Sequence, residues 1–264
     1  MRPAGAPAVP SAPMSDTSAR PPGPPAGLRV VSLVPSATET LLAWGITPVA
    51  VTRFCEQPDL PAVGGTKDPH VDEITALEPD LVVVCVEENR REDAERMEEQ
   101  GLRLHAIDIQ GVADVPSELD RLAAALGLER PTMVLPPRQP PTGRRAFVPI
   151  WRRPWMTVAG DTYVSSILEW VGLANAFDDA DDRYPTIDLS EAIDRAPDVV
   201  IAPDEPYPFG ERHRIELEQV APALLIEGKD VTWWGARTPG AIERLLALAA
   251  EVGHQRAPGP ATDR

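Results

Sequence analysis

From Arg29 onward the chain alternates between two hydrophobic patterns. Some runs are short and apolar at every position, as strands buried on both faces should be. Others place apolar residues every three or four positions, the spacing of a helix with one buried face. Arg29–Val34 reads as a strand, followed by a helix over 37–44 with Ser36 as N-cap and Glu39 closing a capping box. Strands over 48–52, 81–86 and 102–107 alternate with an acidic helix over 90–100 and a helix over 116–126, the two helices stopped by Gly101 and Gly127. Farther on the pattern predicts a strand over 147–150, a helix over 162–171, a strand over 199–202, a short helix and strand near 220–226, and a closing helix over 239–252.

Part of this pattern occurs twice. Glu73-Ile-Thr-Ala-Leu-Glu-Pro79-Asp80 leads into Leu81–Val84, and Glu191-Ala-Ile-Asp-Arg-Ala-Pro197-Asp198 leads into Val199–Ile201. Each is an acid, a short helix, Pro-Asp and a β-branched run. Proline ends the helix and forces its predecessor out of the helical region, so the chain must turn there. Upstream, Leu42-Ala43-Trp44-Gly45 matches Leu168-Glu169-Trp170-Val171-Gly172, each a helix end with a glycine stop. Repeated α/β halves predict two similar Rossmann-like lobes facing a shared cleft.

Composition marks the boundaries. Residues 1–27 carry eight of the 31 prolines, with few large apolar side chains, and read as a disordered tail, as do residues 253–264. The N-terminal lobe then spans 28–128 and the C-terminal lobe 146–252. Residues 129–145 form a Pro-rich linker with five prolines, which cannot be a continuous helix and is expected to act as an untethered spacer between hinging lobes. The formal charge of −16 argues against nucleic acid or an anionic membrane as partner. No apolar run is long enough to span a membrane. As written, the start has no secretory h-region and no cysteine placed for lipidation, so the sequence predicts a cytoplasmic protein. Cys55 and Cys85 lack metal or redox spacing and read as buried thiols.

Candidate site residues come from the loops after the strands, because ligands of open parallel sheets sit beyond the carboxyl ends. These are Phe54 after 48–52, and Glu87, Glu88 and Asn89 after 81–86. They are joined by Trp151, Arg152, Arg153 and Trp155 after 147–150, by Glu205 and Tyr207 after 199–202, and by Trp233 and Trp234 in a polar loop. Aromatics with a few placed polar groups make a small-molecule site. Each has a plainer reading: Glu87 and Glu88 as the acidic start of a helix, and Arg152 and Arg153 as surface charge. Trp44 and Trp170 fall inside helices and read as core. Arg144, Arg145, Arg152 and Arg153 together suggest an anionic group on the ligand. The sequence contains no HExxH, GxSxG, GxxxxGK[ST] or GxGxxG, so nothing in it asks for an enzyme.

Several segments in order resemble the periplasmic-binding-protein-like family of iron-siderophore and cobalamin receptors, the helical-backbone metal receptors. They are Val31-Ser32-Leu33-Val34-Pro35-Ser36-Ala37-Thr38-Glu39, Val63-Gly64-Gly65-Thr66-Lys67-Asp68 and Leu77-Glu78-Pro79-Asp80-Leu81-Val82, then Gly172-Leu173-Ala174-Asn175-Ala176-Phe177 and Ala196-Pro197-Asp198-Val199-Val200. The resemblance covers about 29–250 and looks closest to the cobalamin-binding branch. It implies a class III periplasmic-binding-protein fold, α/β, with a joining helix that is degenerate here. It places Phe54, Cys85, the Ile150–Trp151 position and Tyr184 on the cleft wall, with cysteine and Thr66 standing where large aromatics are expected. It also implies docking on the permease of an ABC transporter through Asp72 and Glu73 on one lobe and Ser190 and Glu191 on the other. The expected function is non-catalytic binding of a cobalamin-like corrinoid or another metal chelate, by a monomer that requires no cofactor or metal of its own. A ferric-siderophore or haem receptor is the second reading, and an enzyme acting on a corrinoid or chelate the third.

Overall fold

The computed structural model describes residues 27–130 and 132–254. The two tails expected to be disordered lie largely outside these residues. In the first lobe the chain runs β1 (Val30–Ser32), α1 (Pro35–Ala43), β2 (Ala50–Val51), β3 (Gly64–Gly65), β4 (Asp68–Pro69) and α2 (Val71–Ala76). It continues through β5 (Leu81–Cys85), α3 (Arg91–Glu99), β6 (Leu104–Ile107) and α4 (Val115–Ala125). The second lobe has β7 (Arg144–Phe147), β8 (Trp155–Met156), α5 (Tyr163–Trp170), β9 (Leu173–Asn175), β10 (Thr186–Ile187) and α6 (Leu189–Asp194). It closes with β11 (Val199–Pro203), α7 (Arg214–Leu217), β12 (Ala223–Ile226), α8 (Lys229–Thr232) and α9 (Thr238–His254).

Each lobe is built on a four-stranded parallel sheet, ordered β2-β1-β5-β6 in one and β9-β7-β11-β12 in the other. The orders correspond strand for strand, so the sequence repeat is a repeat of topology. Its Pro-Asp motif has the same job in both lobes. Asp80 accepts the backbone N–H of Arg29 at 2.7 Å, and Asp198 that of Arg145 at 2.9 Å. Each aspartate thereby fixes the start of the lobe's first strand against its third. The residue before each proline, Glu78 or Ala196, takes a left-handed φ of 47° or 48° to make the turn. Strands β5 and β11 are buried at every position, as their unbroken apolar runs require.

Three local expectations change. Helix α1 starts at Pro35 with Val34 as N-cap and no side-chain cap. Proline needs no N–H partner in the first turn and is preset for helical φ, so the helix begins before Ser36. Glu39 turns away from the expected capping box, and its carboxylate lies 3.4 Å from Arg237 of the other lobe. Strand β7 also lies three residues upstream of the predicted one, because Arg144 and Arg145 are strand residues. The Arg145 guanidinium donates to the carbonyls of Arg195 and Ala176. Trp44 and Trp170 are half-buried rather than full core.

The segment joining the lobes contains no helix among its described residues, but it is not an untethered spacer. Trp170 Nε1 donates to the carbonyl of Pro136 at 2.8 Å, Gln139 N to that of Trp170 at 2.9 Å, and Thr142 N to that of Gly172 at 2.9 Å. At the other end Arg130 stacks 5.0 Å from the Trp44 ring, and Thr132 donates to Asp120. The two repeat-related tryptophans therefore each receive one end of the joining segment. Met133 and Leu135 pack on a core that runs through both lobes, from Val30, Ile107 and Val115 to Ile167, Leu173 and Trp234. Prolines leave carbonyls free to accept, and the segment's apolar side chains find a shared core, so stiffness here becomes docking. Hinging lobes are thus not what this packing provides.

Gly172 carries much of this attachment. Its φ is +84°, and a Cβ there would lie 2.7 Å from the carbonyl oxygen of Pro140. Gly172→Ala should therefore lose about 2–3 kcal/mol in urea unfolding. It should also speed limited proteolysis within 132–143.

Candidate functional site

The carboxyl ends of both sheets point into one cleft of about 640 Å³. Cys85 ends β5, and Glu87 and Glu88 follow it; after β2 come Phe54 and Glu56, and after β11 Glu205 and Pro206. The starts of α1, after β1, and of α5, after β8, add Pro35 and Ser36 on one side and Thr162, Tyr163 and Val164 on the other. Tyr184, Trp233 and Trp234 complete the second lobe's wall. Of the predicted ligand contacts, the structure brings together Phe54, Cys85, Glu87, Glu88, Tyr184, Glu205, Trp233 and Trp234 here.

The remaining six lie elsewhere. Because β7 ends at Phe147, it is Ile150 that reaches the cleft. Trp151–Met156 then turns back as a narrow hairpin. Trp155 stacks on Phe209 with centroids 5.9 Å apart, and Trp151 meets Tyr207 edge-on at 5.6 Å, in an aromatic cluster outside the cleft. Arg152 is paired with Glu216 at 2.8 Å, and Arg153 is exposed on the turn without lining the cavity. With Arg145 spent on carbonyls, the predicted arginine site for a ligand anion is not assembled. Asn89 is a brace. Its amide oxygen accepts from Cys85 N at 2.8 Å, and its Nδ2 donates to the Thr66 carbonyl at 2.8 Å, holding the β3–β4 hairpin against β5.

Sequence reasoning passed over the α1 and α5 starts, Glu56, Lys67 and Thr232. The start of α1 was findable, since it directly follows the first predicted strand, whereas α5 begins only after the β8 hairpin. Lys67 and Thr66 reach the cleft through the tight β3–β4 turn, which two bare glycines announce only weakly.

The lobes also touch across the cleft. The Tyr184 hydroxyl donates to Glu87, and Arg183 lies 3.5 Å from the same carboxylate. On the other flank Lys229 pairs with Glu56 and stands 4.5 Å above the Trp233 ring. Arg237, 5.9 Å from that ring, reaches Glu39. Trp233 is thus held by two cations that also tie the lobes together. Glu205 accepts from the Thr232 hydroxyl at 2.9 Å, and burial raises its pKa. Burial and the neighbouring Glu88 and Glu87 carboxylates push the Cys85 thiol up to about 12. Burial first, then the Glu87 charge, raises Glu88 to about 7, with Lys67 opposing. Among the described residues no group of three His, Cys, Asp or Glu side chains could hold a metal ion, and no helix is long and apolar enough to cross a membrane.

No protein-family model matches the chain. It is 25% identical to the vitamin B12-binding protein of Yersinia pestis, over 88% of this chain and 87% of that one. Its structure superposes on the periplasmic vitamin B12 binding protein BtuF of Vibrio cholerae with a TM-score of 0.71, covering 86% of this chain and 98% of that one at 18% identity. The periplasmic haem-binding protein BhuT, solved with two haems, superposes with a TM-score of 0.69, covering 85% and 98% at 18% identity. The chain has the fold of the periplasmic-binding-protein-like metal-chelate receptors. Within this receptor fold, the resemblance first carried by scattered motifs extends over most of the chain. These relationships overturn the expected cytoplasmic location. The solved neighbours are periplasmic proteins, and an extracytoplasmic location is the one the relationships support.

The Glu88 carboxyl gives a test by pH. Its folded-state pKa lies above its unfolded value, so the folded protein binds the proton more tightly. Stability should then fall as pH rises from about 5 to 8, by at most about 3 kcal/mol from this group. Glu88→Gln should flatten that slope in denaturant titrations across the same range.

Proposed function

We propose that the cleft binds a cobalamin-like corrinoid, or another metal chelate of comparable shape, without turning it over, and that the loaded protein delivers it to an ABC permease. The observation that carries this reading is one cavity at the carboxyl ends of two repeat-related sheets, with aromatic rings on opposing walls. Phe54 comes from one lobe, Tyr184 and Trp233 from the other. Broad rings of this kind suit a flat macrocycle, whose faces are apolar and whose edge is polar. Phe54 is 51% exposed and Tyr184 37%, apolar area that a ligand would cover. The named relatives bind vitamin B12, which agrees with this reading. Haem is the second reading, favoured by the neighbour that holds two haems.

Absence of turnover is supported by the chemistry of the one thiol on the wall. Cys85, with its pKa pushed up to about 12, carries almost no thiolate at neutral pH and is a poor nucleophile. Of the cleft's carboxylates, Glu87 and Glu205 are engaged by hydroxyls and Glu56 by Lys229. The ligand's own metal would come with the chelate, so no separate cofactor is required.

For delivery, α2 and α6 occupy equivalent positions in the repeat and carry Asp72 and Glu73, and Ser190 and Glu191, all exposed. Their partners are light: Asp72 accepts from Gln100, Glu73 bonds His70, and Glu191 lies 3.7 Å from Arg195. These groups are free enough to be exchanged for permease contacts.

Titrating the protein with cyanocobalamin and haemin, by absorbance and by tryptophan quenching, tests the reading. At least one chelate should bind stoichiometrically and be recovered unchanged. Trp233→Ala should weaken that binding by about tenfold or more, while Trp151→Ala, outside the cleft, should leave it within twofold. Absence of binding to any chelate, or equal effects of the two substitutions, would count against the cleft.

A further inference from the structure

Charged groups around the cleft are unequal in their commitments. Glu87 is taken by Tyr184 and Arg183, and Glu56 by Lys229. Among the described residues the Glu205 carboxylate accepts one side-chain hydrogen bond, from Thr232. Glu88 is half-buried at the cavity wall, and among the described residues its carboxylate accepts no hydrogen bond from a protein donor. Placing the two repeat motifs in register pairs Glu87 with Glu205. Glu88 then falls opposite Pro206 and is an addition to the first lobe alone.

Water in the open cleft can serve this carboxylate, but a ligand that displaces the water must supply a donor in its place or leave the group unsatisfied at a cost. Burial is the leading cause of its raised proton affinity, with Glu87 adding and Lys67 opposing. Cationic donors on the wall are scarce by comparison, although Ser36, Thr66, Trp233 and Trp234 bring hydroxyl and indole groups to it. No arginine lines the cavity, the Tyr163 hydroxyl is already bonded to Thr238, and Lys67 is the one lining ammonium among the described residues. The starts of α1 and α5 add about half a positive charge each. That offsets part of the formal charge of Glu88 and Glu205 but supplies no donor to satisfy Glu88.

We propose that Glu88, seconded by Glu205 across the cleft, is a specificity-determining residue that accepts N–H groups from the ligand's edge. The cleft thereby selects chelates with an amide or ammonium periphery over those edged with carboxylates or catecholates. This rests on the cleft being a chelate site, and it adds the charge and hydrogen-bonding class of what enters. An anionic chelate would meet Glu88 and Glu205 with Lys67 as its main counter-charge, and would leave the Glu88 carboxylate without a donor.

The test measures affinities for four chelates in the full chain at pH 8. They are cyanocobalamin, neutral with amide arms; a ferric trihydroxamate bearing a free ammonium; haemin, with two carboxylates; and a triply anionic ferric tricatecholate. The amide- or ammonium-edged chelates should bind about tenfold or more tightly than the anionic pair. Glu88→Gln should shrink that ratio about tenfold, Glu205→Gln should shrink it less, and Glu88→Asp should keep most of it. Melting curves confirm that each variant is folded. Equal affinity for the anionic chelates, or a ratio unmoved by Glu88→Gln in folded protein, would overturn the inference and leave the cleft reading standing. Failure of all four to bind would overturn both.

Discussion

Apolar packing across the boundary between the lobes is the constraint from which the cleft follows. One buried cluster joins residues of the first sheet and its helices to α5, α8 and α9 of the second lobe. Polar contacts register the two parts. Val112 N donates to Ser166 at 2.9 Å, and Ala236 N donates to Thr40 at 3.1 Å. Close approach is built in at the same places, since a Cβ on Gly111 would lie 2.7 Å from the Ser166 hydroxyl and one on Gly235 2.2 Å from that of Thr40. These contacts fix how far apart the two sets of strand ends stand, and so the width of the cavity. The extended joining segment then needs only to follow the surface that the packing has already made.

On that frame the duplicated halves diverge where chemistry is concerned. Asp80 and Asp198 keep one structural duty, and Glu87 and Glu205 keep one position beyond the third strand and one hydroxyl partner each. Their surroundings differ. The first lobe inserts a glycine hairpin that carries Thr66 and Lys67 to the wall, while the second builds its wall from Tyr184 and the Trp233-Trp234 pair. Similar scaffolds holding dissimilar walls give a cleft with two distinct sides, suited to a ligand whose two faces or edges are not alike.

Much of this was legible in the sequence, for physical reasons. Strands β5 and β11 are buried on both sides and so read as unbroken apolar runs. The Pro-Asp turns repeat because each lobe needs the same strand start. The rule that ligands sit beyond strand ends found Phe54, Glu87, Glu88 and Glu205. It misplaced Trp151, Arg152, Arg153 and Trp155 because the end of β7 was set three residues late, and a loop's direction depends on where its strand stops. Trp233 and Trp234 were found by a different route, as large rings in a polar loop. What the sequence hid was pairing at a distance. Arg145 meets carbonyls of Ala176 and Arg195, and Arg152 meets Glu216. The proline-rich segment is docked by Trp170 and Gly172, 34 and 30 residues from their partners. Local composition carries no trace of such partners.

The β3–β4 hairpin separates support from contact. Its backbone is fixed by Gly64 and Gly65, whose missing side chains leave room for Asp68, and by the Asn89 amide that grips the Thr66 carbonyl. Among the described residues the side chains of Thr66 and Lys67 make no hydrogen bond in that support, and both line the cavity. Residues 66 and 67 are therefore positions at which an evolving lineage can exchange one side chain for another and retune the pocket's taste without disturbing the fold. A threonine in place of the expected large aromatic is the kind of exchange such a position tolerates.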